Sequence, residues 1–530
     1  MSLPTADRPR CLAVTLAAIT TLACTALAQP LPRTTPEAAG VDSGGILRFL
    51  QAAEKGPHEF HSLVLVRHGN VVAEGWWAPY RADLKHMMYS VSKSFTSTAV
   101  GFAVQENLLK LDEPLLQSFP DFQPAADSTH LKDLTIRHLL TMSAGQDPDP
   151  SGRIWATENW EEAFLQTPIV KAPGSTFLYN STATYMLSAI VRKASGQTVF
   201  DFLTPRFFQP LGIADVDWET SPNGNSAGGW GLRIRTEDMA KLGLLLLQKG
   251  VWNGESILDP EWVEAATSAQ IIQNPNATPE QLATSDWLQG YGFQLWRCRN
   301  GGFRADGAFG QYIIVLPENQ AVIAITSSTP DMQGILNLVW EHLLPAMHPN
   351  PLPQDETALA QLQETLAALA LPIPQWQADS PTATQIAGAW FELEPNPIGL
   401  DRIRFDLNPE QQPGSVTFQY REATYTIPMK RNQWAHSKTA RPGPSLTAGA
   451  QNSLKGLAPF EVAAAYRWSE PHTLELTLRY VESPHTEVVT ARFDGERINL
   501  AFAASLLGSP SGAPLQGVRA NLPAAEGTAQ

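Results

Sequence analysis

The chain is nearly without cysteine: three occur in 530 residues, and Cys11 and Cys24 fall within the first 28. Those 28 residues read as a signal peptide. Arg8 and Arg10 precede an apolar run from Cys11 to Leu27, and Ala26-Leu27-Ala28 is a small-x-small cleavage site. The run is too short and too rich in Ala and Thr for a membrane anchor. Thr21-Leu22-Ala23 lacks the leucine that a lipoprotein signal wants three residues before Cys24. Cleavage after Ala28 leaves Cys298 alone, which excludes an intrachain disulfide. An exported chain of this length can rest on its hydrophobic core instead. Cys298 lies between Arg297 and Arg299 with no Cys or His at ligand spacing and is read as structural. No zinc spacing and no phosphate loop occur, so no metal and no organic cofactor are expected. Positive charge is scarce as well: 37 Lys and Arg face 52 Asp and Glu, a net charge of −15, and loss of residues 1–28 makes it one unit more negative. That balance gives no case for nucleic acid or anionic lipid as a partner. The mature chain is expected to be periplasmic or secreted, with no membrane span after processing.

What remains is long enough for more than one domain. Phe60 to Trp77 reads as a hairpin turning at His68-Gly69-Asn70, and Tyr312 to Thr326 as another turning at Pro317 to Asn319, with helices between. Strands at both ends of a segment with helices in the middle fit an α+β domain with one antiparallel sheet, residues 29–345. Residues 346–383 are Pro-rich at both ends and read as a linker with a short helix at Ala358 to Leu369. From 384 to 520 the apolar period is two, as in Thr473 to Tyr480 and Ile498 to Phe502, and turn signals such as Asp494-Gly495 separate the runs. This part is expected to be a smaller all-β domain, a barrel or a sandwich, with residues 521–530 a disordered tail.

Ser90-Val91-Ser92-Lys93 is the sole Ser-x-x-Lys of the chain. It opens an expected amphipathic helix with Phe95, Ala99, Phe102 and Ala103 on one side, so that serine and lysine share a face. A serine hydroxyl becomes a useful nucleophile when something takes its proton. A lysine held against it, desolvated and neutral, can do so. Tyr179-Asn180-Ser181 precedes a helix expected from Thr184 to Ala194 and closed by Gly196. Tyr179 can shuttle protons with Lys93, and Ser181 can relay a proton or donate to substrate. By residue type alone the plainer reading is favoured, with Tyr179 a half-buried aromatic and Ser181 a helix cap.

Ser-x-x-Lys on a helix, Tyr-x-Ser on a loop and a Gly-rich strand near the domain's end, in that order, resemble the serine β-lactamase and penicillin-binding-protein family. The resemblance is to its class C-like branch of esterases, D-amino-acid peptidases and 6-aminohexanoate-dimer hydrolases. It extends over Tyr89 to Glu113, Leu134 to Gln146, Pro173 to Ile190 and Ala227 to Gly243, roughly residues 35–345. It implies a β-lactamase/transpeptidase-like α+β domain, an acyl-enzyme on Ser90, and proton transfer by Lys93 and Tyr179. The family's third motif, Lys-Thr-Gly or His-x-Gly, is missing. Its best register is Ala305-Asp306-Gly307. The implied oxyanion donors are then the amides of Ser90 and Ala308, with Gly307 letting substrate lie close to the strand. Arg304 alternates away from Ala305 and reads as a solvated surface charge. His138, among Leu139, Leu140 and Met142, reads as a packed histidine. Gln146 and Asp147 begin a loop that can border the cleft, and Trp230 either walls a pocket or fills the core.

The expected function is an exported serine hydrolase acting on a small ester, amide or peptide. A β-lactamase or DD-peptidase, and a non-catalytic sensor that kept the fold, stand as alternatives. Oligomeric state and the role of the C-terminal domain are not legible.

Overall fold

In the computed structural model the described residues are 29–125, 130–375, 380–407 and 413–520. The signal peptide expected at 1–28 and the tail expected at 521–530 lie outside them.

Six antiparallel strands form the central sheet of the first domain. From one edge to the other they are Asn70–Trp76, Glu59–Arg67, Ala321–Ser328, Gln311–Leu316, Phe303–Gly307 and Trp296–Arg297. Both expected hairpins are present. The first closes through His68 and Gly69, φ 48° and 78°, the left-handed pair that a two-residue hairpin turn requires. Alternate side chains face opposite cores. Val64, Val66, Ile313, Val315, Val322 and Ala324 pack with Met239 and Leu242 of the helix Thr236–Leu247. Leu63, Leu65, Ile314, Leu316, Ile323 and Ile325 pack with Ile46, Phe49 and Leu50 of the helix Ser43–Lys55 and with Ile335 and Leu336. Strands buried on both faces explain the continuous apolar runs.

The helix after the Ser-x-x-Lys runs Ser92–Gln105, and Ser90 sits just before it in a 3₁₀ turn, Tyr89–Val91. The amphipathic expectation is overturned: every residue from Ser92 to Ala103 is buried, polar ones included. Phe95 meets Phe207 edge-on at 5.6 Å on one side, and Gly101 lies so close to Trp262 that a Cβ would sit 2.6 Å from its indole nitrogen. A helix buried all round needs partners for its hydroxyls. Thr98 Oγ1 returns to Ser94 O, and Ser94 Oγ donates to Gln294 O.

Within the segment read as a linker, the helix Glu356–Ala368 is docked, with Leu362, Leu369 and Leu371 in the core beneath the Ser43–Lys55 helix. The choice between barrel and sandwich falls to the barrel. Ten antiparallel strands from Trp390–Leu393 to Leu515–Arg519 form one sheet, whose edge strands are Thr424–Met429 and Ala435–Thr439. A parallel bridge between Lys430 and Ala465 brings the two edges nearly to closure. Its interior is filled by side chains such as Phe391, Phe405, Phe418, Leu476, Leu478 and Leu500. The barrel is not a distant appendage. Met87 and Tyr89 are buried in its cluster, Met87 N donates to Glu482 O at 2.9 Å, and Arg233 is paired with both Asp217 and Glu482.

Candidate active site

The site begins with a turn held from behind. Met87 and His86 pair with Arg233 and Ile234, and Met88 N donates to Leu232 O at 2.9 Å. This couples the residues before Ser90 to the glycine-rich segment 228–231. Ser92, two residues on, accepts from Leu232 N at 3.1 Å and is fully buried, so its hydroxyl is committed to the backbone. Ser90 remains partly exposed.

Lys93 is 1% exposed, and its Nζ makes three contacts: Ser90 Oγ at 2.9 Å, Ser181 Oγ at 3.0 Å and Gly229 O at 2.6 Å. Burial pushes its pKa down to about 7, against the opposing pull of Asp149 and Asp306. Nζ has acceptors for all three N–H bonds of the ammonium; in the neutral amine two N–H bonds suffice for Gly229 O and Ser181 Oγ, and the lone pair can face Ser90 Oγ.

Ser181 is not the helix cap, and its hydroxyl accepts from Lys93. The helix runs Ser181–Ser195, and Asn180 caps it, accepting from Thr182 N and Ala183 N. The Asn180 amide also donates to Gln146, which is buried; Gln146 therefore braces the loop from behind. Asp147 is exposed and pairs with Lys171 at 2.8 Å. Tyr179 is half-buried, its ring 4.9 Å from Lys93 Nζ and stacked on Trp296 at 5.6 Å. Desolvation holds its phenol well above the ordinary range, and a hydrogen bond with Ser90 opposes this only partly.

Gly307 ends the strand Phe303–Gly307 beside the Ser90 turn. Its glycine has a structural reason beside the expected one: a Cβ there would lie 2.3 Å from Met88 O, so the missing side chain admits the turn that carries Ser90. Ala308 follows, half-buried, and Phe309 has φ 67°. Arg304 is not a surface charge. It is 0% exposed, donates from Nε to Asp306 at 2.9 Å, and lies 4.7 Å from the Trp287 ring centre and 5.6 Å from that of Trp296. Alternation correctly separates it from Ala305. What alternation could not reveal is that its side of the strand is covered by the aromatic segment 287–296.

The other candidates fall outside the cluster. His138 belongs to a capping box with Thr135, and its Nδ1 lies 3.1 Å from both Thr135 N and Oγ1. Trp230 fills the core between Trp155 and Trp160, at 4.8 and 5.4 Å. Cys298 is buried, which pushes its thiol up to about 11. Sequence reasoning missed Trp287, Tyr291 and Trp296, the wall beside Tyr179. Their signal was present as an aromatic run, Trp287 to Trp296. It also missed Asp149, an exposed carboxylate felt by both Lys93 and Tyr179.

A sequence profile of the Beta-lactamase family matches residues 60–341, and the chain belongs to that family. It is similar to the 6-aminohexanoate-dimer hydrolase of Paenarthrobacter ureafaciens, 23% identical over 290 residues, covering 51% of this chain and 73% of that one. The esterase EstB of Burkholderia gladioli is 28% identical over 178 residues, covering 29% of this chain and 45% of its own length. Among solved structures, the octameric penicillin-binding protein homologue from Pyrococcus abyssi is 16% identical and covers 89% of this chain and 99% of that one, with a TM-score of 0.45. These relatives carry the names of hydrolases and of a penicillin-binding protein homologue, and the family is one of β-lactamase-fold hydrolases.

Proposed function

We propose that the protein is a serine hydrolase that cleaves an ester or amide through an acyl-enzyme on Ser90. The observation that carries this reading is Lys93 Nζ, buried, with a pKa near neutrality, 2.9 Å from Ser90 Oγ and anchored by Ser181 and Gly229. Ser90 Oγ attacks the acyl carbon as its proton passes to the neutral Lys93 amine. The amides of Ser90 and Ala308 receive the developing oxyanion. Tyr179 stays protonated at neutral pH, because burial raises its phenol. It therefore passes a proton to the leaving group and recovers one from Lys93. Water then attacks the ester, the same groups act in reverse, and Ser90 Oγ regains its proton.

The charges favour uncharged or amine-bearing substrates over carboxylated lactams. Where the family strand usually supplies a side chain for the substrate carboxylate, Ala305 is buried and Arg304 is already paired with Asp306. Asp149 adds an exposed negative charge near Lys93 and Tyr179. Export to the periplasm or beyond is part of the same proposal and rests on residues 1–28 of the sequence. A fluorophosphonate probe tests the reading. Stoichiometric labelling that Ser90→Ala abolishes is expected, and a folded wild-type protein that remains unlabelled refutes it.

A further inference from the structure

The C-terminal barrel reaches the side chains of the two residues that flank the candidate oxyanion donors through one imidazole. His485, fully buried, precedes the barrel strand Thr486–Asp494. Its Nε2 lies 2.5 Å from the hydroxyl of Tyr89, the residue immediately before Ser90. Its ring stands edge-on to Tyr89 at 5.9 Å and to Phe309 at 5.3 Å, and Tyr89 and Phe309 meet each other edge-on at 5.6 Å. Phe309 immediately follows Ala308.

Tyr89 and Phe309 share a second property. Both are non-glycine residues in left-handed backbone, φ 45° and 67°. Bulky side chains hold that conformation where surrounding packing over-determines it, and such residues gather at functional turns. Here the two residues flank the candidate donors: Tyr89 immediately precedes the Ser90 amide and Phe309 immediately follows Ala308. The barrel supplies the third ring that locks both. A second barrel segment adds to the hold: Leu446 N donates to the Tyr89 hydroxyl at 3.2 Å. Phe309 is tied on its other side to the central sheet, where its carbonyl accepts from Ser327 Oγ at 2.9 Å. The two turns are therefore fixed to the catalytic domain at their outer ends and to the barrel through His485.

We infer that His485 is a positioning residue for the oxyanion hole, so that the C-terminal barrel is a working part of the active site and not a spacer. The inference rests on the hydrolase reading above. His485 touches neither substrate nor reacting atoms; it acts through Tyr89 and Phe309. Burial lowers its pKa to about 4, so at neutral pH it is an uncharged ring and adds no charge behind the nucleophile.

The test uses the full chain, counting live sites with the fluorophosphonate probe and then measuring rates per labelled site with p-nitrophenyl butyrate. In His485→Ala, kcat/KM per labelled site is expected to fall roughly ten- to hundredfold, with KM within about twofold, because misplaced amides weaken transition-state binding and spare ground-state binding. The inhibition constant of phenylboronic acid, which forms a tetrahedral adduct on the serine, is expected to rise in parallel. His485→Gln keeps an acceptor for Tyr89 but loses the ring, and is expected to lie between Ala and wild type. Should His485→Ala not fold, the same two readings on His485→Gln decide the matter. Unchanged per-site kcat/KM and boronate affinity overturn the inference. So does a loss of labelled sites with normal rates at those that remain, which is the signature of a merely structural role. An unlabelled wild-type Ser90 overturns the hydrolase reading and this inference together.

Discussion

Lys93 offers the sharpest check on the chemistry, because its burial fixes both the sign and the size of a pH effect. An ordinary lysine titrates near 10.5, and burial lowers this one to about 7. The difference corresponds to about 5 kcal/mol against the charged form, within the range of desolvation costs for a fully buried amine. At pH 7.5 a lysine at its ordinary pKa is neutral in roughly one molecule in a thousand, and one at about 7 in roughly three of four. Desolvation thus multiplies the population of competent base several hundredfold. In the proposed mechanism the neutral amine is the active form, so kcat/KM is expected to rise with pH through a single ionisation near 7 and then level off. Asp149→Asn removes the larger of the two charges that hold the ammonium in place, so its acid limb should move toward lower pH. Lys93→Arg keeps the charge and does not deprotonate usefully, and a loss on the order of a thousandfold, similar to Lys93→Ala, is expected. The assay is the pH dependence of p-nitrophenyl butyrate hydrolysis normalised to labelled sites. A flat profile from pH 5.5 to 8.5, or a near-normal rate in Lys93→Arg, would refute the assignment of the base.

Three further outcomes follow from the same geometry. Ser92→Ala should retain most turnover per labelled site yet lose about 1–3 kcal/mol of stability in denaturant unfolding, since Leu232 N loses its buried acceptor; catalytic loss as large as in Ser90→Ala would count against Ser90. Nitrocefin should be turned over at least about a hundredfold less efficiently than p-nitrophenyl butyrate, because bringing an unpaired carboxylate into a partly dry site costs a few kcal/mol; equal efficiencies would mean that a cation reaches the cleft. Glu219 is buried at the domain junction, accepts from Leu454 N at 3.0 Å, and has its pKa raised by desolvation to about 7. Its unfolded carboxyl ionises near 4.5 while the folded one stays protonated, so stability is lost as pH rises from about 4.5 to 7. Glu219→Gln should remove that loss, about 3 kcal/mol by linkage, and equal pH dependence of unfolding in the two proteins would contradict it.

The meeting of Ser90 with Lys93 was legible from local spacing, whereas that of Tyr179 and Ser181 with them, 88 residues beyond Lys93 for Ser181, was expected from the family resemblance. Three residues from Ser90 to Lys93 is one helical turn, so the two side chains must meet wherever the helix lies. The hairpins read as turning at His68-Gly69-Asn70 and at Pro317 to Asn319 were equally local, each closing between apolar strands. The alternating runs after residue 384 announced strands but left barrel and sandwich open, since the pairing that brings Lys430 beside Ala465 joins distant strands.

Other features depended on what the chain packs against. Nothing in Phe303 to Gly307 says that Arg304 is buried under Trp287 and Trp296, or that Gly307 is needed by Met88 O. Asn180 takes the cap and leaves Ser181 to Lys93, although both residue types suit either role. Lys93 has the same four-carbon stem in any sequence; its low pKa comes from the surrounding core, which excludes the water that would otherwise solvate its charge. His485 lies 395 residues after Ser90 in the chain. Only the docking of the barrel against the turn that carries Ser90 places its imidazole against Tyr89 and Phe309. Local spacing fixed which groups can meet along one element, and tertiary packing decided their solvation, partners and orientation, because desolvation and contact depend on neighbours that the local sequence does not contain.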